Sequence, residues 1–259
     1  MYGWTIWMGM VLLAPAGPAT APATASAPAG APADGHPGYT RRDRHDPNGI
    51  GKFYLGREIA QVMGHTGIGW LERPEREEEE HSREMLELLA VRPGDVVADI
   101  GAGSGYHTLP LARMVGPKGR IKAVDIQPEM LAAIRKKARE TGLDNIDLVL
   151  GAEDDPRLEP ESVDLILLVD VYHEFEWPFE MTRHMVRALK PGGRIVFVEF
   201  RAEDPKVPIK AVHKMTQAQV IREMKPHPLR YKETIDKLPW QHMIVFEKTP
   251  LATRPVRKP

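Results

Sequence analysis

The chain has 259 residues, 42% hydrophobic and 27% charged, which suits one sizeable globular core and excludes a fibrous or wholly disordered polypeptide. Its formal net charge of -1 offers no field for a polyanion, so neither nucleic acid nor an anionic membrane surface is an expected partner. The absence of cysteine excludes disulfides, thiolate zinc sites and a cysteine nucleophile.

Residues 4–13 are an apolar run, about half the ~20 residues a helical membrane span requires, so no stable span is expected. Residues 14–37 are almost entirely Ala, Pro, Thr, Gly and Ser, a composition that cannot bury enough apolar surface to offset the entropy of ordering it. Small-x-small sites such as Ala19-Thr-Ala21 and Ala25-Ser-Ala27 follow the run, and no Lys or Arg precedes it. The expectation for residues 1–37 is a signal-peptide-like segment and a disordered linker, exporting the chain to a periplasmic space. The alternative is an inert tail on a cytoplasmic protein.

From about Gly38 the composition turns globular. Residues 51–69 mix glycine, aromatics and the short apolar run 59–63, read as one short helix and a loop. A helix then starts near Glu72, with Pro74 in its first turn, acidic residues at the positive end of its dipole and Met85, Leu86, Leu88 and Leu89 as its buried stripe. The acidic run 77–80 reads as a solvated helix face. Strands are expected at 96–100, 120–125, 146–150, 163–169 and 194–200. Helices are expected at 106–115, 128–141 and 177–189, the last ending at the turn Lys190-Pro-Gly-Gly193. That alternation argues an α/β fold with a parallel sheet covered on both faces. After Phe200 a loop leads to Thr216, which caps a helix to about Met224. The strands 229–235 and 241–247 are joined too tightly to be anything but antiparallel. An antiparallel strand is therefore expected at the end of the parallel sheet. The tail 249–259 is basic, proline-rich and expected to fray.

The strongest chemical signal is the first strand–turn–helix unit, where strand 96–100 leads into Gly101, Gly103 and Gly105. Glycines let a ligand approach the main chain, and the following helix start offers free N–H groups. The next strand ends in Asp125, placed to accept ribose hydroxyls. Dinucleotide sites want Gly-x-Gly-x-x-Gly, but residue 106 is Tyr and Asp99 precedes the first glycine. A carboxylate there would repel a pyrophosphate yet could hold the ammonium of a bound amino acid. S-adenosylmethionine (SAM) carries that ammonium and no phosphate, so the charge logic favours SAM over a nicotinamide cofactor.

These motifs, with the run 163–200 and its Lys190-Pro-Gly-Gly193 turn, resemble class I SAM-dependent methyltransferases, in the small-molecule branch similar to the ubiquinone/menaquinone-biosynthesis enzymes. The resemblance covers residues 74–248 as a SAM-binding methyltransferase domain, with residues 38–73 as a lid segment ahead of it. It implies a Rossmann-like three-layer sandwich whose seven-stranded, mostly parallel sheet has its last strand antiparallel. It implies that Gly101, Ala102, Gly103 and Gly105 line the methionine end with Asp99 near its ammonium, and that Asp125 and Ile126 bind the ribose side. The adenine would meet the turn after the third strand, where Ala152 stands in place of the usual acidic residue and Glu153 and Asp154 both remain candidates. The implied activity is methyl transfer from SAM to a small-molecule acceptor. The alternatives are a non-catalytic SAM-binding or regulatory module and a nicotinamide-dependent oxidoreductase.

Ligands of open α/β sheets bind beyond the carboxyl ends of strands, so Asp170, Tyr172, His173 and Glu174 are well placed at the reacting end. His173 is the candidate base, with Asp170 and Tyr172 beside it and Asp170 also a candidate cofactor contact, and a His that merely bonds a neighbouring loop is the competing reading. The tetrad Asp170–Val–Tyr–His173 is not Asn-Pro-Pro-Tyr, which speaks against methylation of DNA bases or glutamine. Tyr54, Met63, His65 and Trp70 are the candidate lid and substrate contacts, with core packing as the alternative for Tyr54 and Trp70. His65, His173 and Glu174 are metal-ligating types without close ligand spacing, so no metal is expected. His213 is a further possible rim residue.

Overall fold

The computed structural model describes residues 38–249, so the signal-like segment 1–37 and nearly all of the tail 249–259 lie outside the described residues. In chain order the strands are β1 (Tyr39–Arg41), β2 (Gly49–Tyr54), β3 (Arg57–Ala60), β4 (Val96–Ile100), β5 (Arg120–Asp125), β6 (Ile146–Leu150), β7 (Val163–Val169), β8 (Leu189–Phe200), β9 (Leu229–Ile235) and β10 (Gln241–Lys248). The helices are α1 (Ile68–Leu71), α2 (Arg76–Glu80), α3 (Ser82–Leu88), α4 (Thr108–Val115), α5 (Pro128–Glu140), α6 (Pro178–Ala188) and α7 (Gln217–Met224).

Strands apolar on both faces need a layer on each side, and the central strands meet that condition residue by residue. Ala98, Ile166, Leu168, Ile195, Phe197, Ile244 and Phe246 point one way, into a cluster with Met181 and Met185 of α6 and Val220 and Met224 of α7. Their neighbours Val97, Leu165, Leu167, Val196, Val198, Met243 and Val245 point the other way, against Met85 and Leu86 of α3 and Leu111 and Val115 of α4. The period-two switch makes this a three-layer sandwich.

The main sheet has seven strands in the order β6-β5-β4-β7-β8-β10-β9. The strands from β4 to β8 run parallel, and β10 lies antiparallel between β8 and β9. The last strand in sequence is thus the antiparallel one, as expected, but it is enclosed by β9 at the sheet edge. The carboxyl ends of β4, β5, β6 and β7 share one rim, and the loops after them build the site.

Three local expectations are corrected. Residues 59–63 do not form a helix, because Ile59 and Ala60 belong to β3 of a separate antiparallel sheet β1-β2-β3. The β2–β3 hairpin turns on Leu55 (φ 46°) and Gly56 (φ 92°), both left-handed as a tight two-residue hairpin loop demands. The helix expected from Glu72 is split into α2 and α3 by His81, whose φ of 50° breaks the ladder. The Lys190–Gly193 turn lies inside β8 as a bulge: Leu189 pairs with Val163, and pairing resumes at Arg194 with Leu165.

Candidate active site

Backbone geometry explains the glycine turn. Gly101, Gly103 and Gly105 all have positive φ, a region costly for residues with a Cβ. A Cβ on Gly101 would also collide with Val171, which follows β7, so the turn and the reacting loop are in direct contact. The turn is tied to β5: Gly101 and Ala102 donate their N–H groups to Val124 O at 2.9 and 3.0 Å, and Gly103 N donates to Asp125 Oδ2 at 2.9 Å. Gly105 plays a different part from the one expected, because its Cα faces Ile134 and Leu109 in the core and not the cavity.

Above this rim lies a cavity of about 580 Å³, within the usual range for small-molecule sites. Gly101, Gly103, Asp125, Ile126, Ala152 and Glu153 line one end, and Asp170, His173 and Glu174 line the other. Of the two candidate carboxylates after β6, Glu153 lines the cavity and Asp154 does not. Asp125 is buried, its carboxyl raised by burial although the N–H groups of Gln127 and Gly103 oppose the shift. Asp99 sits below the turn in a small annex of about 30 Å³, shared with Arg76, Gly101 and Ala102. Its Oδ2 accepts from Thr108 Oγ1 at 2.6 Å, and burial pushes its carboxyl up to about 6.

The most informative residues missed at the sequence level are Arg73, Arg76 and Glu80, all of which line the cavity. The acidic run 77–80 is not wholly a solvated face: Glu80 is buried and accepts from Arg73 Nη2 at 2.7 Å and Arg76 Nε at 2.8 Å. Arg76 borders both the main cavity and the annex of Asp99. A cation and an anion thus flank the glycine turn, a donor and an acceptor that would complement an amino acid's carboxylate and ammonium. The local signal was the spacing: Arg76 and Glu80 stand four residues apart on α2, and Arg73, ahead of that helix, reaches the same carboxylate.

The lid residues divide. Met63 and Trp70 line the cavity, and the Arg73 guanidinium stacks 3.8 Å from the Trp70 ring centroid. Tyr54 does not reach it, because it is fully buried with its ring 4.9 Å from Tyr39. His65 does not line it either. Its N–H donates to Gln127 Oε1 at 2.7 Å, and Gln127 Nε2 donates to Met63 O at 2.9 Å. Gln127 follows Asp125 by two residues, so the segment 63–65 is clamped next to the Asp125 carboxylate.

The segment after β7 is fixed by side-chain hydrogen bonds on both sides. Tyr172 faces away from the cavity. It is fully buried among Phe175 and Phe197, and its hydroxyl donates to Glu223 Oε2 at 2.7 Å, which removes it from the catalytic set. Asp170 is half-buried, with φ 51°, and accepts from Gln241 Nε2 at 2.6 Å through Oδ2. Its Oδ1 has no hydrogen-bond partner among the described residues. Burial and the nearby Glu80 and Glu199 raise the Asp170 carboxyl well above the usual range. His173 donates from Nδ1 to the fully buried Glu199 at 2.6 Å, so Nε2 is the ring atom left for the cavity. Burial pulls its pKa down most strongly, but the Glu199 and Glu174 carboxylates together outweigh that and the net shift is upward. Glu174, buried, is pushed up to about 7 and accepts from Met63 N–H at 3.3 Å. His213 comes from the 3₁₀ turn Ala211–His213 after β8, with its Nδ1 3.2 Å from His173 Nε2. The neighbour that completes this group is His213 and not His65.

Residues 97–193 match the family model of a methyltransferase domain. Over 117 residues the chain is 27% identical to a demethylmenaquinone methyltransferase of Bacillus cytotoxicus, covering 45% of this chain and 49% of that protein. Over 112 residues it is 35% identical to a protein-L-isoaspartate O-methyltransferase of Methanopyrus kandleri, covering 43% and 47%. The chain spans about half the length of the curated relatives it matches. A solved SAM-dependent methyltransferase of Aquifex aeolicus shares the fold at a TM-score of 0.68 and 22% identity, over 73% of this chain and all of that one.

Proposed function

We propose that this chain, whose central domain is of the class I SAM-dependent methyltransferase kind, transfers a methyl group from SAM to a small-molecule acceptor. One observation carries the reading: a single cavity joins the glycine turn, the Asp125 carboxylate and the polar group Asp170–His173–Glu174 beneath Met63 and Trp70.

The residues fit the cofactor. Arg76 and Arg73 would hold its carboxylate, Asp99 and the unpartnered Oδ1 of Asp170 its ammonium, Asp125 its ribose hydroxyls and Glu153 its adenine side, with Ile126 and Met130 as apolar walls. When bound, the cofactor supplies an electrophilic methyl group on a sulfonium. The chain's contribution is alignment and exclusion of water. Trp70 and Met63 cover the cavity, and the segment Pro208–Lys210 walls the acceptor end. Glu199 fixes the His173 ring so that a nitrogen lone pair faces the acceptor. The quinone-pathway relative favours an uncharged ring-bearing acceptor, in keeping with the largely apolar lining.

Calorimetry with SAM, S-adenosylhomocysteine and NAD tests the cofactor, followed by a methyl-transfer screen of small acceptors. Tight binding of both adenosyl compounds and none of NAD is expected. NAD binding without SAM binding would overturn the reading, and SAM binding with no acceptor would favour a regulatory module. No helix among the described residues is long and apolar enough to cross a membrane. Export by residues 1–37 is likewise a proposal, resting on the apolar run and its small-x-small sites, and an intact Met1 on protein from the native host would refute cleavage.

A further inference from the structure

We propose that His173, Glu174 and His213 form a divalent-metal site of the zinc class at the acceptor end of the cavity. His173 Nε2 and His213 Nδ1 lie 3.2 Å apart, and Glu174 Oε1 lies 4.0 Å from the first and 3.8 Å from the second. A point equidistant from three atoms so spaced is about 2.1 Å from each, the length of Zn–N and Zn–O bonds.

Three further features fit a cation. His173 spends Nδ1 on Glu199, which is the carboxylate–histidine–metal relay that fixes the tautomer and aims the other nitrogen at an ion. That relay is itself anchored, because Glu199 Oε1 accepts Tyr172 N–H at 3.0 Å and His173 O accepts Arg57 Nη1 at 3.0 Å. The nearby ammonium of Lys210 is drawn aside to Asn48 Oδ1 at 2.6 Å. Two imidazoles and one carboxylate suit borderline first-row ions over Mg²⁺ or Ca²⁺, which want all-oxygen shells. All three ligands line the cavity, so positions on the ion not taken by protein face the bound acceptor. An acceptor with an oxygen donor is the class such an ion would hold. The metal site stands without the methyl-transfer reading, and only its use as an acceptor anchor rests on that reading.

The test is titration of the full, chelator-stripped chain with Co²⁺ read by visible absorption and with Zn²⁺ read by calorimetry, each repeated with SAM in place of metal. One equivalent of Co²⁺ giving an intense low-symmetry spectrum is expected, displaced by Zn²⁺. His213→Ala, on a half-exposed turn, should fold and should weaken binding by about 100-fold or more, since even outer-shell changes cost roughly 10–100-fold. Glu174→Gln should weaken it likewise, and SAM affinity should stay within about twofold in His213→Ala. No Co²⁺ uptake, or uptake unchanged in both variants, overturns the site and leaves a histidine pair joined by a hydrogen bond. SAM binding without metal uptake rejects the metal alone, and metal uptake without SAM binding rejects the methyltransferase reading alone.

Discussion

Glu199, near the end of β8, and His173, just beyond β7, share a 2.6 Å hydrogen bond, and both side chains are buried. The bond decides which ring nitrogen the cavity sees. Glu199→Gln removes the charge that holds the proton on Nδ1 and leaves one oxygen to serve two donors, His173 Nδ1–H and Tyr172 N–H. Ring ¹⁵N shifts of the neutral wild-type His173 should report a single Nδ1–H form, and those of the variant a mixture. Stability should fall by about 1–3 kcal/mol for the group left unpaired. A wild-type ring already mixed between tautomers would refute the orienting role.

Asp99 makes the free protein pH-sensitive. Its carboxyl is raised to about 6, first by burial, with Thr108 opposing, Asp125 adding and Arg76 opposing. A folded value above the unperturbed 3.8 means that the folded state binds more protons between the two, so stability falls as pH rises through that window and stays lower above about 6. Asp99→Asn keeps an acceptor for Thr108 and removes the ionisation. Above about pH 7 its advantage over wild type should approach roughly 3 kcal/mol, narrowing as pH falls from 6 towards 4. Its SAM affinity should drop by more than about tenfold, because a charge-assisted bond is lost. Equal unfolding midpoints at every pH would contradict the buried charge.

Much of this was legible in the sequence for a physical reason. Strand residues 163–169 and 194–200 are apolar on both faces, which only a covered parallel sheet satisfies, and the turn 236–240 is too short for anything but an antiparallel pair. Asp99, Gly101 and Asp125 were legible because backbone strain and charge are local. What failed was non-local. Tyr172 and His173 are adjacent in sequence, yet only packing against Phe197 and Glu223 turns the tyrosine inward while the histidine faces the cavity. The approach of His213 to His173 across 40 residues has no sequence periodicity. The hairpin at Leu55-Gly56 lacks the Asn-Gly or Asp-Gly pair that usually announces one.

The adenine carboxylate can be assigned by a pair of variants. Glu153 lines the cavity and Asp154 does not. Glu153→Ala should weaken SAM binding by about tenfold, Asp154→Ala by less than about twofold, and Asp125→Ala by more than about tenfold, as charge-assisted bonds contribute roughly 1.5–3 kcal/mol. Calorimetry reads all three, and the reverse order for residues 153 and 154 would reassign the site.

Tyr172 should behave as a structural residue. Tyr172→Phe deletes a buried 2.7 Å bond to Glu223, whose carboxylate keeps Arg57 at 2.8 and 3.0 Å. The expected cost is about 1 kcal/mol, a fall of roughly 2–4 °C in Tm. SAM affinity should be unchanged, and a large loss of binding with no change in Tm would return Tyr172 to the site.

The lid hinges on Gln127. Its amide takes one hydrogen bond from His65 N–H and gives one to Met63 O, closing residues 63–65 over the ribose side. Both bonds lie at an exposed position, so each contributes near the low end of about 0.5–1.5 kcal/mol. Gln127→Ala should leave Tm within about 2 °C, because no core contact is lost. It should speed SAM release by about fivefold to tenfold, because the lid opens more often and bound ligand leaves through it. Stopped-flow displacement by S-adenosylhomocysteine reads the release rate, and amide exchange at residues 63–65 reads the opening. Faster exchange at 63–65 with an unaltered release rate would show that cofactor leaves by another route and that the segment is not its lid.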